Sequence, residues 1–395
     1  MSYIRKKHLQ QALSARKTHR IILIGGLAGT GKKTLLSAII TELKQEKPPV
    51  RIVQIREEKS VDSSTVLQQA RALGVGPSVL IIENAENEIA EALSKIISKY
   101  SVTVFLIAQN ERPMETTLNR LVGDLAYTIR LPPLSYPEFL EANTLRDSME
   151  SLELYAQNGG LIHHAILPPD SPDRCMYLEF RANSFLLTEV IERFTVRNPR
   201  SIRELLYFVA RHTGESLSSR QIQEAFSHRR MTISPQAALD YLAYCGESGI
   251  LVPVTIYDLS RKKDLESGTS WYFGDTGLRC AFVNRDRSAS FDRALANLVY
   301  LSLIDGGWHL KQGRIIYGNG TREDISFVCE KDDKRLYVQM EGSAATAEEH
   351  LRKRTALLAI RDAWPKYLVG AYSEKGENDG IIRRSVRELL LNSPE

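Results

Sequence analysis

The stretch IGGLAGTGKKTLLSAI, residues 24–39, follows an apolar run and opens a helical pattern. It has the spacing GxxxxGK, with Gly26, Gly31 and Lys32 at the fixed positions. Glycines let the backbone wrap around an anion, the first amides of the following helix point at it, and a lysine reaches the β- and γ-phosphates. The stretch therefore predicts a phosphate-binding loop of the Walker A type. The residues predicted to contact the nucleotide are Gly26, Ala28, Gly29, Thr30, Gly31, Lys32, Lys33 and Thr34.

The residue after Lys32 departs from the usual pattern. Ser or Thr normally stands there and binds magnesium through its hydroxyl, but this chain has Lys33. Thr34 follows, and because one step along a helix turns a side chain by about 100°, only a one-residue bulge returns Thr34 to the metal. The Lys33 ammonium either takes the place of the metal beside the phosphates, which predicts magnesium-independent binding, or fills an empty loop by itself.

The strand VLIIEN, residues 79–84, ends where such proteins usually place an Asp for the magnesium shell and a Glu for the attacking water. Glu83 keeps the charge on a longer arm, so it predicts a weak metal contact through water. Asn84 hydrogen-bonds a water but cannot accept its proton, which removes the general base unless Glu86 supplies one. The two residues are interpreted as a degenerate Walker B pair, and the plain alternative is a polar strand end.

Five short apolar runs alternate with helical patterns between residues 20 and 145. The runs are RIILIGG, VRIVQI, SVLIIEN, VTVFLIAQN and AYTIRLPPL. Five buried strands with helices between them predict an α/β fold whose parallel sheet is covered on both faces. Ligands of such folds bind at the carboxyl ends of the strands, where the glycine loop and Glu83 both lie.

Length and composition set the broad class. At 395 residues, with 43% hydrophobic and 25% charged residues, the chain resembles an ordinary globular protein with two or three domains. The net charge of +4 is too small to indicate nucleic-acid binding by itself. No apolar run approaches the roughly 20 residues that span a bilayer, so we expect a cytoplasmic protein without membrane contact. The four cysteines lie far apart, and His163 and His164 have no partner at ligand spacing, which argues against a metal site there.

Three short helical patterns and a hairpin-like pair of strands occupy residues 196–275. This order predicts a winged helix-turn-helix, whose third helix can enter the major groove of DNA. Basic residues near the second and third helices and in the wing are expected to contact phosphates. They are Arg229, Arg230, Arg261, Lys262 and Lys263, with Arg220 and His228 nearby. The alternative is a protein-packing module, since the helix SPQAALDYLAY has few long polar side chains to read base edges.

Four further stretches resemble one known family. LPPLSYPEF, residues 131–139, resembles its Pro-Leu-Ser-Phe-x-Glu-Phe signature, and YAQNGGLIHHAIL resembles its Tyr then Gly-Gly-x-Pro segment. YFGDTGL, residues 272–278, matches its aromatic-Asp-x-Gly-Leu element, and ANLVYLSLIDGG its Glu-Asn-Leu-Val-Tyr helix. Along nearly its whole length the chain is thereby similar to the prokaryotic AAA-type P-loop ATPases that carry a winged helix and a carboxy-terminal domain related to PD-(D/E)XK nucleases.

The resemblance implies ATP binding, and hydrolysis where the motifs are intact. Lys33, Glu83 and Asn84 depart from the family's Thr, Asp and Glu. The strand end that the resemblance expects to sense the γ-phosphate carries Gln109 and Asn110. A Gly-Arg pair of the family aligns with Asp124 and Leu125, and Arg120 or Arg130 are the nearest substitutes. These departures together predict inefficient turnover.

The tail after Asp275 has the order of elements of a restriction-nuclease core, which needs carboxylates on adjacent strands and a lysine. The resemblance places the helix Glu at Ala296, the strand Asp at Ser326 and the lysine at Glu341. The nearby acids Asp292, Glu323 and Asp324 are out of phase, and an offset of one residue points a strand side chain to the opposite face. We therefore expect a packing or partner-binding platform rather than a nuclease.

The leading hypothesis is an ATP-binding AAA-type protein that acts as a nucleotide-dependent switch or scaffold, with weak or absent hydrolysis and contact to DNA. One alternative is a slow magnesium-dependent ATPase that uses Thr34 and Glu86. Another is a pseudo-enzyme that binds DNA or protein without nucleotide. A protein partner or a homo-oligomer stays open, because AAA-type proteins commonly assemble through an arginine of a neighbour. The predicted domains are an N-terminal helix (1–19), the ATPase core (20–145), a helical lid or connector (146–195), the winged helix (196–275) and the nuclease-like tail (276–395).

Overall fold

The computed structural model describes residues 3–56, 61–73, 76–108, 111–161, 174–283, 287–318, 320–392 and 394. Contacts divide the chain into two units, residues 1–132 and 133–395.

The first unit is a five-stranded, entirely parallel sheet with helices on both faces. Its helices are α1 (Lys6–Ala15), α2 (Lys32–Gln45), α3 (Ser63–Ala70), α4 (Ala90–Lys99) and α5 (Glu111–Val122). Its strands are β1 (Ile21–Gly25), β2 (Arg51–Ile55), β3 (Ser78–Ala85), β4 (Val102–Ala108) and β5 (Ala126–Arg130). The strand order is β2-β3-β4-β1-β5. The five apolar runs of the sequence predict the number of strands and their parallel direction.

Alternation along β1 shows how this sheet is covered. All five residues of β1 are buried, with Ile21 and Leu23 in the apolar cluster on one face and Ile22 and Ile24 in the cluster on the other. A strand buried on both faces must lie in the interior of an α/β sheet. The carboxyl ends of β1, β3 and β4 therefore meet at one edge, and that edge positions the candidate site.

The second unit is built around a nine-stranded mixed sheet. Its helices are α6 (Tyr136–Asn143), α7 (Met149–Asn158), α8 (Arg174–Leu186), α9 (Pro199–Arg211), α10 (Ser219–His228), α11 (Pro235–Glu247), α12 (Thr276–Phe282), α13 (Arg287–Asp305), α14 (Ala347–Ala359) and α15 (Val386–Leu391). Its strands are β6 (Ser216–Leu217), β7 (Leu251–Asp258), β8 (Lys263–Phe273), β9 (His309–Ile316), β10 (Arg322–Lys331), β11 (Lys334–Glu341), β12 (Lys366–Gly370), β13 (Gly376–Asn378) and β14 (Ile381–Ser385). The order is β13-β14-β12-β11-β10-β9-β7-β8-β6.

The hairpin of β7 and β8 belongs to the same sheet as the tail strands. Strand β7 pairs in parallel with β9, with Ile256 opposite Gln312. Gln312 also donates to the Gly214 carbonyl at 3.2 Å and accepts from the Ser270 hydroxyl. The sheet thus crosses the boundary expected between residues 275 and 276, because backbone pairing joins the two segments edge to edge.

The first unit also ends earlier than expected, at residue 132 rather than 145. The next segment belongs to the second unit, where the Leu134 amide donates to the Gly160 carbonyl at 2.7 Å and the Tyr155 hydroxyl donates to the Leu134 carbonyl at 2.6 Å. Arg387 forms a two-pronged ion pair with Asp147, so the start of the expected connector is fastened to α15.

Among the residues that the structure describes, no helix has the length and apolar character that a membrane crossing requires.

Candidate functional site

Three glycines shape the loop between β1 and α2. Gly26, Gly29 and Gly31 have φ angles of +124°, +92° and +92°, a region that side-chain-bearing residues rarely adopt. A Cβ on Gly26 would also overlap the Leu131 carbonyl. No side chain caps the first turn of α2, which begins at Lys32. The loop therefore has the backbone geometry of an anion-binding cradle.

Two side chains of the loop close it on itself. The Thr30 hydroxyl is buried and donates to the Leu27 carbonyl at 2.9 Å. The Lys32 ammonium donates to the carbonyls of Gly26 at 2.5 Å and Leu27 at 3.2 Å. Lys32 thus lies across the loop, where a lysine of a phosphate-binding loop meets phosphate oxygens.

The position that normally holds a magnesium ligand holds a cation instead. The Lys33 ammonium lies 3.5 Å from the Glu83 carboxylate, and the Arg56 guanidinium lies 2.9 Å from the other oxygen of the same carboxylate. Only 12% of the Glu83 side chain is exposed, against 68% of Lys33. A divalent cation needs oxygen ligands with free lone pairs, and these contacts direct two positive groups at Glu83. This arrangement does not fit magnesium between Lys33 and Glu83.

Glu83 and Asn84 lie at an irregularity of β3. The register with β4 shifts between Ile82 and Ala85, and Asn84 has a φ of +58°. Asparagine tolerates this left-handed region better than most residues do. Bulges next to functional sites re-aim a side chain, and this one turns the end of β3 so that Glu83 meets Lys33 and Arg56.

Glu111, which the sequence analysis missed, touches the loop itself. Its carboxylate accepts a hydrogen bond from the Gly26 amide and lies 3.6 Å from the Arg130 guanidinium. Arg130 also pairs with Glu115. Glu111 comes three residues after the end of β4, and β4 is the neighbour of β1 in the sheet. Arg56, one residue after β2, was missed as well. Position just beyond a strand end was the only sequence signal for either residue.

The remaining predicted residues have varied positions. Thr34 is half-buried in the first turn of α2, Glu86 precedes the short turn Asn87–Ile89, and Arg120 is exposed on α5. The predicted γ-phosphate sensors Gln109 and Asn110, like His163 and His164, lie outside the described residues. Within the described ranges no group of three or more His, Cys, Asp or Glu side chains is arranged to hold a metal ion.

In the second unit, neutral groups occupy the positions of the nuclease acids. The Ser326 amide donates to the Gln339 side-chain oxygen at 2.8 Å, and the Met340 amide donates to the Ser326 hydroxyl at 3.0 Å. Gln339 is 3% exposed. Glu341, where the resemblance expects a lysine, pairs with His350. Ser326, the strand position where the resemblance expects an acid, is therefore engaged in an uncharged hydrogen-bonded pair with Gln339.

The out-of-phase acids have other partners. The Asp324 carboxylate accepts two hydrogen bonds from Arg314, from Nε at 2.7 Å and from Nη2 at 2.9 Å. The Glu323 carboxylate lies 3.6 Å from the Arg352 guanidinium. Asp292 accepts from the Ser343 amide at 2.9 Å. Burial raises the pKa of Glu323, with Arg352 acting in the opposite direction. Each acid is thus held in a structural contact.

The predicted nucleic-acid contacts fall into two groups. Arg229 forms an ion pair with Glu204 at 2.6 Å, and Arg261 lies 3.9 Å from the buried Asp258. Arg230, Lys262 and Lys263 are exposed, and none of them has an ion-pair partner among the described residues. Nearby, Arg220 pairs with Glu224 at 2.9 Å.

Comparison with known proteins gives distant likenesses. A family profile described as a domain of unknown function (DUF8612) matches residues 165–289. A search of curated proteins found no match. The structure is similar to a Walker-type ATPase of Pyrococcus abyssi, with 12% identity, a TM-score of 0.47, and coverage of 71% of this chain and 95% of that chain.

Two further solved structures show weaker similarity. The ORC1 protein of Aeropyrum pernix, in complex with DNA, is 14% identical with a TM-score of 0.30, over 71% of this chain and 92% of that one. A signal transduction ATPase with numerous domains and a tetratricopeptide repeat sensor, from Pyrococcus horikoshii, is 14% identical with a TM-score of 0.28, over 76% of this chain and 45% of its own length. These scores are too low to support an argument about function, which therefore depends on the geometry of the site.

Proposed function

We propose that the protein binds ATP in the loop from Gly26 to Thr34 and that the Lys33 ammonium takes the place of magnesium. In this proposal the bound nucleotide acts as a switch or scaffold element and is hydrolysed weakly or not at all. The observation that carries the proposal is the ion pair of Lys33 with Glu83, at 3.5 Å. It joins the two positions between which a P-loop protein normally holds its metal.

Three features of the loop support phosphate binding. The three glycines have positive φ angles, Lys32 lies across the loop, and α2 presents its uncapped first turn. A charge-assisted hydrogen bond is worth about 1.5–3 kcal/mol, and these are the contacts that nucleotide affinity needs. Magnesium contributes mainly to positioning and charge stabilisation during phosphoryl transfer.

The groups that drive hydrolysis are the ones that differ. Asn84 cannot accept a proton, and Glu83 is engaged by Lys33 and Arg56. Phosphoryl transfer is accelerated almost entirely by positioning and electrostatics. We therefore expect these differences to lower the rate of ATP hydrolysis far more than the affinity for ATP. The slow ATPase that uses Thr34 and Glu86 is the alternative outcome of the test.

The test is calorimetry of ATP with magnesium and with a chelator, on the wild type, Lys32→Ala and Lys33→Thr, followed by phosphate release on the same samples. Lys44→Thr, an identical change in the last turn of the same helix, is the matched control. We expect binding without magnesium, loss of roughly 10- to 100-fold in affinity for Lys32→Ala, and a new magnesium requirement in Lys33→Thr.

Wild-type binding that requires magnesium and releases phosphate would establish the slow ATPase instead. No binding to wild type under either condition would leave the interpretation of a scaffold without nucleotide.

We also propose that residues 196–275 act as a winged helix that contacts DNA through Arg230, Lys262 and Lys263. Their charges are exposed and have no ion-pair partner among the described residues, which supports phosphate contact. Binding of a DNA duplex should weaken with salt, and each charge-removing change should lower the slope of log affinity against log salt by about 1. A slope that the three variants leave unchanged would instead favour a protein-packing role, with a protein partner or a second copy of the chain as the occupant.

A further inference from the structure

A cavity of about 400 Å³ opens between the β7–β8 turn, β9, β11 and the segment after α14. Aromatic rings and cations line it together. The rings are Tyr257, Tyr337 and Trp364, and the cations are Lys262, Arg335 and Arg361. This size lies within the range of small-molecule sites, about 300–1,000 Å³. Nothing in the ATP-loop proposal uses this cavity, which lies within the second unit.

The turn that carries Lys262 is held firmly against β9. The Ser260 hydroxyl accepts from the Ile316 amide at 3.1 Å and donates to the Ile316 carbonyl at 3.2 Å. Asp258, fully buried, accepts from the amides of Ser260 and Arg261, both at 2.9 Å. A free wing would have no such support. One rim of the cavity is therefore preorganised, which reduces the entropy lost on binding.

Of the three rings in the lining, that of Trp364 is the exposed one. Trp364 is 39% exposed, whereas Trp271 and Trp308 are 9% and 2% exposed. Tyr257 is buried, and the Arg335 guanidinium lies over its ring at 5.7 Å from the centroid. An exposed tryptophan on a cavity wall is well suited to stack on a planar ring, because every base has a π-face.

The charges at the cavity favour an anion. Lys262 and Arg361 are exposed, and neither has an ion-pair partner among the residues that the structure describes. The one acid in the lining, Asp362, is already bound: it accepts from the Tyr337 hydroxyl at 2.6 Å and lies 3.5 Å from the Lys366 ammonium. The free charge at the opening is therefore positive.

We propose that this cavity binds a nucleotide, with the base stacked on Trp364 and the phosphate held by Lys262 and Arg361. The chemistry required is a planar ring joined to a phosphate, supplied either by a free mononucleotide or by an unpaired nucleotide of a single strand. Bases inside a duplex are stacked on each other and cannot reach the ring. The site shares Lys262 with the proposed duplex contact, and stacking on Trp364 is what distinguishes the two.

The experiment uses the full chain with Lys32→Ala, which weakens nucleotide binding at the glycine loop, and the dependence on Trp364 then separates the outcome from that of the ATP proposal. Three probes are compared: AMP by calorimetry, a labelled 12-nucleotide oligothymidylate by fluorescence anisotropy, and a 12-base-pair duplex. We expect Trp364→Ala to weaken AMP or oligothymidylate binding at least 5-fold, as loss of base stacking does. Trp364→Tyr should recover most of the affinity, and Arg361→Gln should lower the salt slope for the single strand by about 0.7.

Two controls match these changes elsewhere. Tyr372→Ala removes an aromatic ring that is 66% exposed, and Lys95→Gln removes an exposed cation of the first unit. Binding of AMP alone assigns a free nucleotide, and binding of oligothymidylate alone assigns a single strand. The proposal is overturned if neither probe binds, if Trp364→Ala changes nothing, if Tyr372→Ala weakens binding equally, or if Trp364→Ala weakens binding of the duplex as much as binding of the single strand.

Discussion

Two glycine-bounded loops in this chain hold a carboxylate with backbone amides, and they do so in opposite ways. In the second unit the fully buried Asp275 accepts from the amides of Gly160 at 2.7 Å and Leu278 at 3.0 Å. In the first unit Glu111, whose side chain is 21% exposed, accepts from the amide of Gly26. Both loops are anion sites made of backbone donors, but one is sealed and the other is open.

The difference shows how the same backbone device serves structure in one place and ligand binding in another. A Cβ on Gly159 would collide with the Asp275 carboxylate, so a glycine at this position leaves the space that Asp275 occupies. Around Gly26 the anion is the partly exposed carboxylate of Glu111, which also pairs with Arg130. Because this carboxylate is only partly buried, another anion can reach the Gly26 amide, and we infer that nucleotide phosphate replaces it.

Removing the sealed carboxylate should have the largest effect. Asp275→Ala leaves at least two buried amide donors without an acceptor, each at a cost of about 1–3 kcal/mol, so we expect a loss of about 4 kcal/mol in the free energy of unfolding. Urea unfolding measures it, with Asp333→Ala in an exposed turn as the control. A loss equal to that of the control would show that the Gly159–Gly160 loop does not depend on this acid.

The same carboxylate should make stability depend on pH. Burial raises the pKa of Asp275 from its ordinary 3.8 to about 6, although hydrogen bonds from backbone amides lower it. The folded state then binds the proton more tightly than the unfolded state does, so this contribution is fully present below pH 3.8 and is lost as the pH rises to about 6. The shift is worth about 3 kcal/mol.

The difference in unfolding free energy between the wild type and Asp275→Asn, measured from pH 4 to pH 7, isolates this contribution. We expect the wild type to lose stability over that window relative to the variant. A difference that stays flat would show that the amide donors fully offset the burial.

At the open loop, Gly26→Ala should cost about 3 kcal/mol in unfolding free energy of the first unit. The φ of +124° is strained for alanine, and the new methyl group meets the Leu131 carbonyl. Gly76→Ala is a matched control, because Gly76 has a φ of +138° and nothing within 4 Å of its Cβ position. The excess loss of stability in Gly26→Ala over Gly76→Ala measures the effect of the contact with the Leu131 carbonyl. Equal losses in the two variants would show that this contact does not affect stability.

The smallest expected effect distinguishes an exchangeable anion from a fixed one. Glu111→Gln removes the negative charge beside the Gly26 amide, so ATP affinity should rise by roughly 5-fold, or about 1 kcal/mol. Glu115→Gln is the matched control, since Glu115 also pairs with Arg130 but is not the acceptor of the Gly26 amide. Isothermal titration with ATP measures both variants. Weaker binding in Glu111→Gln would mean that this acid supports the loop rather than competes with the phosphate.

Local patterns predicted the strand, loop and helix around Gly26, because apolar runs and glycine spacing are short-range features. They did not predict Arg56 or Glu111. These residues reach the loop through the order of the strands, which no single segment encodes. The left-handed backbone of Asn84 was equally hidden, since a bulge depends on the register between β3 and β4. Lys33 was recognised as a departure, but its contact with Glu83 needed the three-dimensional arrangement.

The pairing of β7 with β9 was not foreseen either, because residues 256 and 312 are brought together by long-range parallel pairing. This pairing has a consequence for how the second unit tumbles. The hairpin and the strands that follow it share one hydrogen-bonded sheet, so amide groups on both sides of residue 275 should report a single rotational correlation time in NMR relaxation. A force or torque applied at the β7–β8 turn, which carries Arg261 and Lys262, would pass through the hydrogen bonds between β7 and β9 directly into the strands around Ser326 and Gln339.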